Sequence, residues 1–137
     1  MFERILVAVD GSPESGKTIG IAVDLARRYG STVTVVHVRE HERYEGDDVD
    51  LGPPIPAERL VDEVLVAFRE GGIDALGVIR RTDAGSTPQQ IVEVARESRA
   101  DLIIMGSRGM TEWKSLLLGG VASKVIHHAA CPVLLVR

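Results

Sequence analysis

Two groups of residues in this chain have the types and spacing to handle an anionic ligand. The first is Asp10-Gly11, directly after the apolar run Ile5-Leu6-Val7-Ala8-Val9. A carboxylate at that point suits sugar hydroxyls or a bound Mg²⁺. The second group is glycine-rich: Gly106-Ser107-Arg108-Gly109, then Gly119-Gly120. Glycine lets a backbone approach a phosphate closely. Gly119-Gly120 also stands just before a helical pattern containing Val125, and a helix N-terminus offers free amides and about half a positive charge. Gly106, Gly109, Gly119 and Gly120 together have the makings of a backbone cradle for a polyphosphate. A glycine-rich loop alone is a weak signal, so ordinary turn glycines stay open as the alternative.

Other constellations carry less. Residues 11–18 fit the P-loop pattern G-x-x-x-x-G-K-[ST] literally, as Gly11-Ser12-Pro13-Glu14-Ser15-Gly16-Lys17-Thr18. Ser12-Pro13 is itself a helix start, however, so Gly16-Lys17-Thr18 should fall inside a helix instead of forming a cradle. His127-His128 are adjacent, and neighbouring helical positions point about 100° apart, so the pair is poorly placed to share one metal ion. Cys131 precedes Pro132 at a strand start and reads as an inert, buried thiol. The chain shows no triad, no paired acid and base, and no zinc spacing.

The elements that must position these residues alternate. Ile5–Val9 is a continuous, β-branched run of the kind buried on both faces of a parallel sheet. Ile19, Ala22, Val23 and Ala26 then recur at helical spacing, and Gly30 closes the helix. Val33–Val38 is a second strand. Ala57 to Phe68 is an amphipathic helix ended by Gly71-Gly72, Ala75–Arg80 a third strand and Gln89–Arg99 a helix. Leu102–Met105 is a fourth strand, Val121–His128 a helix and Pro132–Val136 a last strand. Strictly alternating strands and helices specify an α/β fold: one domain over residues 1–137, with an open, parallel five-stranded sheet and helices on both faces. If the strand order is 3-2-1-4-5, the carboxyl ends of the first and fourth strands meet at the switch point, and Asp10 faces the Gly106–Gly109 turn across one crevice.

The chain has 137 residues, 45% of them apolar and 26% charged, enough for a single core without disulfides. Its formal charge is −4, and residues 40–50 hold six acids against one arginine. The expectation for residues 40–54 is therefore an exposed, acidic, flexible loop ending in Gly52-Pro53-Pro54. No basic stripe exists to neutralise a nucleic-acid backbone, and aromatics are only 4%. No apolar run approaches 18 residues, and a lone cysteine fits a reducing compartment. These features point to a cytoplasmic protein that binds neither nucleic acid nor membrane.

The chain resembles the universal stress protein family over essentially its whole length. The resemblance rests on Ile5–Ser12, Asp101–Gly109, Leu117-Leu118-Gly119, Cys131–Val136 and Gly85-Ser86-Thr87-Pro88. It implies a Rossmann-like sheet of the adenine nucleotide alpha hydrolase-like type, with order 3-2-1-4-5, and commonly a homodimer through the last strand, here Pro132 to Val136. One branch of the family binds ATP through G-x2-G-x9-G-[S/T]; another does not. Gly106, Gly109 and Gly119 match that pattern, but Gly120 stands where the hydroxyl belongs and Ala122 where a second is frequent. The resemblance maps nucleotide contacts onto Ala8, Val9 and Asp10, onto Val38 and Met105 flanking an adenine, and onto Gly106, Arg108 and Gly109. At the last helix it maps them onto Gly119, Gly120, Val121, Ala122 and Ser123. It implies a regulatory module that binds ATP or another adenine nucleotide, with Mg²⁺ and weakly. Two alternatives remain: a nucleotide-free protein-interaction module with a degenerate site, and a slow ATPase or phosphotransferase.

Overall fold

The computed structural model describes residues 1–107 and 119–137. The first apolar run forms β1 (Arg4–Ala8), followed by α1 (Ser15–Tyr29) and β2 (Thr32–Tyr44). Next come β3 (Asp47–Asp50), α2 (Ala57–Glu70), β4 (Ala75–Asp83) and α3 (Thr87–Glu97). The chain closes with β5 (Leu102–Gly106), α4 (Gly120–His128) and β6 (Val133–Val136).

Five of the strands run parallel in the spatial order β4-β2-β1-β5-β6. That is the expected 3-2-1-4-5 order once β3 is set aside. Ile5 lies between Val33 and Leu102, and Val7 between Val35 and Ile104. Alternation along the strands then sorts the core into two layers. Ile5, Val7, Val35 and Ile104 pack with Ala22 and Ala26 of α1 and with Leu65 and Phe68 of α2. Leu6, Val36, Ile103 and Met105 pack with Ile91 and Val94 of α3 and with Ala122 and Val125 of α4. Helices therefore cover both faces of a single-domain α/β fold. Gly77 of β4 lets α2 close down, since a Cβ there would stand 2.4 Å from Val61 Cγ1. The outer strand β4 is tied back by ion pairs from Arg80 to Glu97 and from Arg81 to Glu58.

Three expectations are corrected. The sheet has six strands, not five. Residues 40–54 are not a loop throughout: β2 runs on to Tyr44 and pairs antiparallel with β3, from His41↔Asp50 to Tyr44↔Asp47. The turn is Glu45-Gly46, both with positive φ (51° and 84°), the geometry of a two-residue hairpin. Acidic composition masked it, because four acids stand on or beside a strand that is exposed along its whole length. The first helix begins at Ser15, with Glu14 at its N-cap and no side-chain cap bond. Ser12 is spent on the preceding turn, its carbonyl accepting from the Ser15 N–H. Among the described residues, no helix is long and apolar enough to cross a membrane.

Candidate functional site

The carboxyl end of β1 turns sharply at Gly11, whose φ of +81° favours glycine. A Cβ at Gly11 would also press on Leu60 and Pro53. This turn fixes Asp10. Its Oδ1 accepts from the Ser12 N–H (2.9 Å) and the Ser15 hydroxyl (3.2 Å). Its Oδ2 has no hydrogen-bond partner among the described residues. The carboxylate is thus held by one oxygen while the other stays available.

The residue before Asp10 is anchored from below. The Val9 N–H donates to Val36 O (3.0 Å), and the Val9 carbonyl is 2.8 Å from Nδ1 of buried His37. Arg39 Nη1 lies 3.3 Å from His37 Nε2. A guanidinium can only donate, so Nε2 is the acceptor and Nδ1–H donates to Val9. Burial holds His37 below its ordinary pKa, and the Arg39 charge acts in the same direction. Arg39 is itself only 5% exposed. It donates to the carbonyls of Pro53 (2.9 Å) and Ile55 (2.8 Å) and pairs with Asp50 at 3.3 Å. Through His37, one side chain thereby ties the segment between β3 and α2 to the residue beside Asp10.

A cleft opens above this end of the sheet. Ala8, Val9 and Asp10 line it from β1, Val36 and Val38 from β2, and Met105 and Gly106 from β5. Gly119, Val121 and Ala122 close it from α4; Thr87 and Ile91 close it from α3; Ser12, Glu14, Ser15 and Thr18 stand at its α1 side. Nine of the thirteen residues singled out by sequence thus border one space. Gly120 and Ser123, both solvent-exposed, are not among its lining residues. Arg108 and Gly109 lie outside the described residues, as do Trp113 and Lys114. Sequence reasoning missed Thr87, Ile91 and Val36, whose helical or strand spacing is indistinguishable from core, and the serines of the α1 turn.

The glycine cradle is only partly as expected. The Gly119 N–H donates to Ser107 O (2.8 Å) and is thereby occupied. The first intrahelical bond of α4 runs from the Ser123 N–H to Gly119 O. Ahead of it, the amides of Val121 and Ala122 have no partner among the described residues and border the cleft, as a helix N-terminus requires of an anion site. Among the described lining residues no lysine or arginine contributes. An anion here meets amides, the acids Asp10 and Glu14, hydroxyls and apolar walls.

The remaining motifs resolve simply. Gly16, Lys17 and Thr18 lie inside α1, with Lys17 exposed, so the P-loop match forms no cradle. The His127 and His128 rings stack edge to face at 5.0 Å, both exposed. No cluster of three or more metal-ligating side chains occurs among the described residues. Cys131 is half-buried rather than buried, and burial together with Asp101 pushes its thiol pKa up, away from reactivity.

Comparison with known proteins gives a consistent result. The model of the universal stress protein family matches residues 1–137. A universal stress protein of Thermus aquaticus is 37% identical over 142 residues, covering all of both chains. A solved universal stress protein structure from Archaeoglobus fulgidus superposes with a TM-score of 0.75 at 27% identity, again over both chains completely. A universal stress protein of the same organism, solved in complex with dAMP, superposes with a TM-score of 0.69 at 24% identity, over 99% of this chain and 98% of that one.

Proposed function

The chain belongs to the universal stress protein family, and we propose that its cleft binds an adenine nucleotide, with binding rather than turnover as the activity. The observation that carries this reading is the half-occupied Asp10 carboxylate facing the open amides of Val121 and Ala122 across an apolar floor. Asp10 Oδ2 takes the ribose hydroxyls or a nucleotide-bound Mg²⁺; the α4 amides take phosphate. Val38 and Met105 flank the base, and Gly106 gives the backbone room. That a related fold was solved with dAMP supports the same class of ligand.

Affinity is modest on this reading. The family pattern puts hydroxyls at the positions of Gly120 and Ala122, of which Ala122 lines the cleft, and a hydrogen bond to a charged group contributes roughly 1.5–3 kcal/mol, or about 10- to 150-fold. The described lining residues include no lysine or arginine, so a Mg²⁺ carried with the nucleotide would add positive charge to the α4 amides. The same two residues favour the second reading, a nucleotide-free interaction module. We also propose a homodimer through β6, an outer strand with exposed Leu134.

Native mass spectrometry of protein purified without added nucleotide, followed by MgATP titration, tests the proposal. A bound adenine-nucleotide mass, or saturable MgATP uptake, is expected. A protein that stays empty at millimolar MgATP refutes it and leaves the interaction module standing.

A further inference from the structure

The hairpin strand β3 leaves the sheet with an edge that neither the cleft nor β6 uses. His41 pairs with Asp83 of β4 on one side of β2 and with Asp50 of β3 on the other. β3 therefore lies on the β1 side of β2. β1 stops at Ala8, opposite Val36, so no described strand runs beside the outer edge of β3. The Leu51 N–H donates to Glu40 O at 2.8 Å. Bonded and non-bonded pairs alternate along an antiparallel ladder, so Val49 and Asp47 also direct their backbone groups at β2. Asp48 and Asp50 then turn N–H and C=O outward, and among the described residues nothing bonds these four groups.

One face of the hairpin is equally unengaged. Glu42, Tyr44, Asp47, Val49 and Leu51 share it by alternation and register. Tyr44, Val49 and Leu51 are large apolar residues left exposed. Glu42 and Asp47 have no ion-pair partner among the described residues. We propose that β3 is a docking edge for another protein, which adds an extended segment bearing lysine or arginine as a further antiparallel strand. Main-chain bonds to Asp48 and Asp50 hold that strand. Cations beside Asp47 and Asp48, and an aliphatic side chain beside Val49, select it. Charge decides the partner: residues 40–50 hold six acids against one arginine, so a second copy of the hairpin is repelled and a basic strand is attracted.

The probe is the capped peptide acetyl-Val-Lys-Val-Lys-Lys-amide, whose order places its residues opposite Leu51, Asp50, Val49, Asp48 and Asp47 in an antiparallel strand. Titration of the whole chain, followed through the Asp48 and Asp50 amide signals in NMR at about 50 mM salt, should saturate with a Kd of about 1 mM or tighter. Raising the salt to about 0.5 M should weaken binding by about fivefold. N-methylation of the two lysines that face Asp48 and Asp50 keeps the charge but blocks the ladder, and should weaken binding by about tenfold or more. Asp48→Pro removes an outward N–H at an edge that tolerates proline and should cost about fivefold or more, whereas Asp48→Asn keeps the N–H and should cost less than about threefold. An N-methylated peptide that binds as well as its parent overturns the proposal, because charge alone would then account for binding. So does equal binding of acetyl-Val-Glu-Val-Glu-Glu-amide, or no saturation by the lysine peptide at about 5 mM. None of these readouts depends on the nucleotide cleft.

Discussion

Replacing Arg39 by Met should cost far more than a usual surface change, although the residue lies in a segment of strongly charged composition. Met keeps most of the apolar stem but supplies no donor. Four acceptors lose their partner: the carbonyls of Pro53 and Ile55, Nε2 of His37, and Asp50. Asp50 is 45% exposed and regains water, so it contributes little. Ile55 is half-buried and recovers in part. The Pro53 carbonyl and the His37 nitrogen are buried, and each costs about 1–3 kcal/mol when left unmet. Relief from burying a guanidinium offsets some of this. A net loss of about 3 kcal/mol follows, a large part of the roughly 5–15 kcal/mol by which a domain is stable. For a chain of this size that lowers Tm by about 10 °C. Urea denaturation followed by far-ultraviolet circular dichroism measures it directly. A change below about 1 kcal/mol with an unaltered m-value would refute the reasoning, because those acceptors would then have to be hydrated in the folded protein.

Four further outcomes are expected. Asp10→Asn should weaken MgATP binding by about tenfold or more in calorimetric titration while leaving the urea midpoint nearly unchanged, since the amide oxygen still serves Ser12 and Ser15. Gly120→Ser should strengthen MgATP binding by up to about tenfold, and an unchanged Kd would show that phosphate does not reach that position. Gly77→Ala should destabilise by about 1–3 kcal/mol, because its Cβ would stand 2.4 Å from Val61 Cγ1; thermal denaturation reads this. Burial lowers the His37 pKa, so below about pH 6.5 the unfolded chain binds a proton that the folded chain refuses. Stability should fall as pH drops from 6.5 toward the folded-state pKa, and His37→Gln should flatten that part of the profile in urea titrations at pH 7.5 and 5.5.

β1, β5 and the first part of β2 were legible because each is a short apolar run buried on both faces, and such runs have few alternatives; β4 and β6, at the sheet edges, were legible from their alternation with helices. Asp10 and Gly119 were legible for a different reason: strand ends and glycines before a helix are where an open sheet exposes its backbone. The hairpin was not. Its turn is Glu45-Gly46 rather than the more telling Asn-Gly, and its strands carry acids where alternating apolar residues would have signalled pairing. Nothing in the sequence sets His37 and Arg39 apart, since their partners, Val9 for the imidazole and Asp50, Pro53 and Ile55 for the guanidinium, meet them only in the fold. Thr87 stood only within the Gly85-Ser86-Thr87-Pro88 stretch ahead of the third helix, and its pairing with Glu40 spans 47 residues of sequence.

The two outer strands of the sheet are unequal, and this limits how copies of the chain can add to one another. β6 is four residues long, apolar, with Leu134 exposed. β4 is nine residues long, and its second half carries Arg80 and Arg81, each already tied to a glutamate, followed by exposed Asp83. Charged side chains on an outer strand disfavour edge-to-edge addition. Two copies joined at β6 through a twofold axis would leave β4 and the acidic hairpin strand β3 as the open edges, both strongly charged, and growth would close at two subunits instead of propagating into a filament.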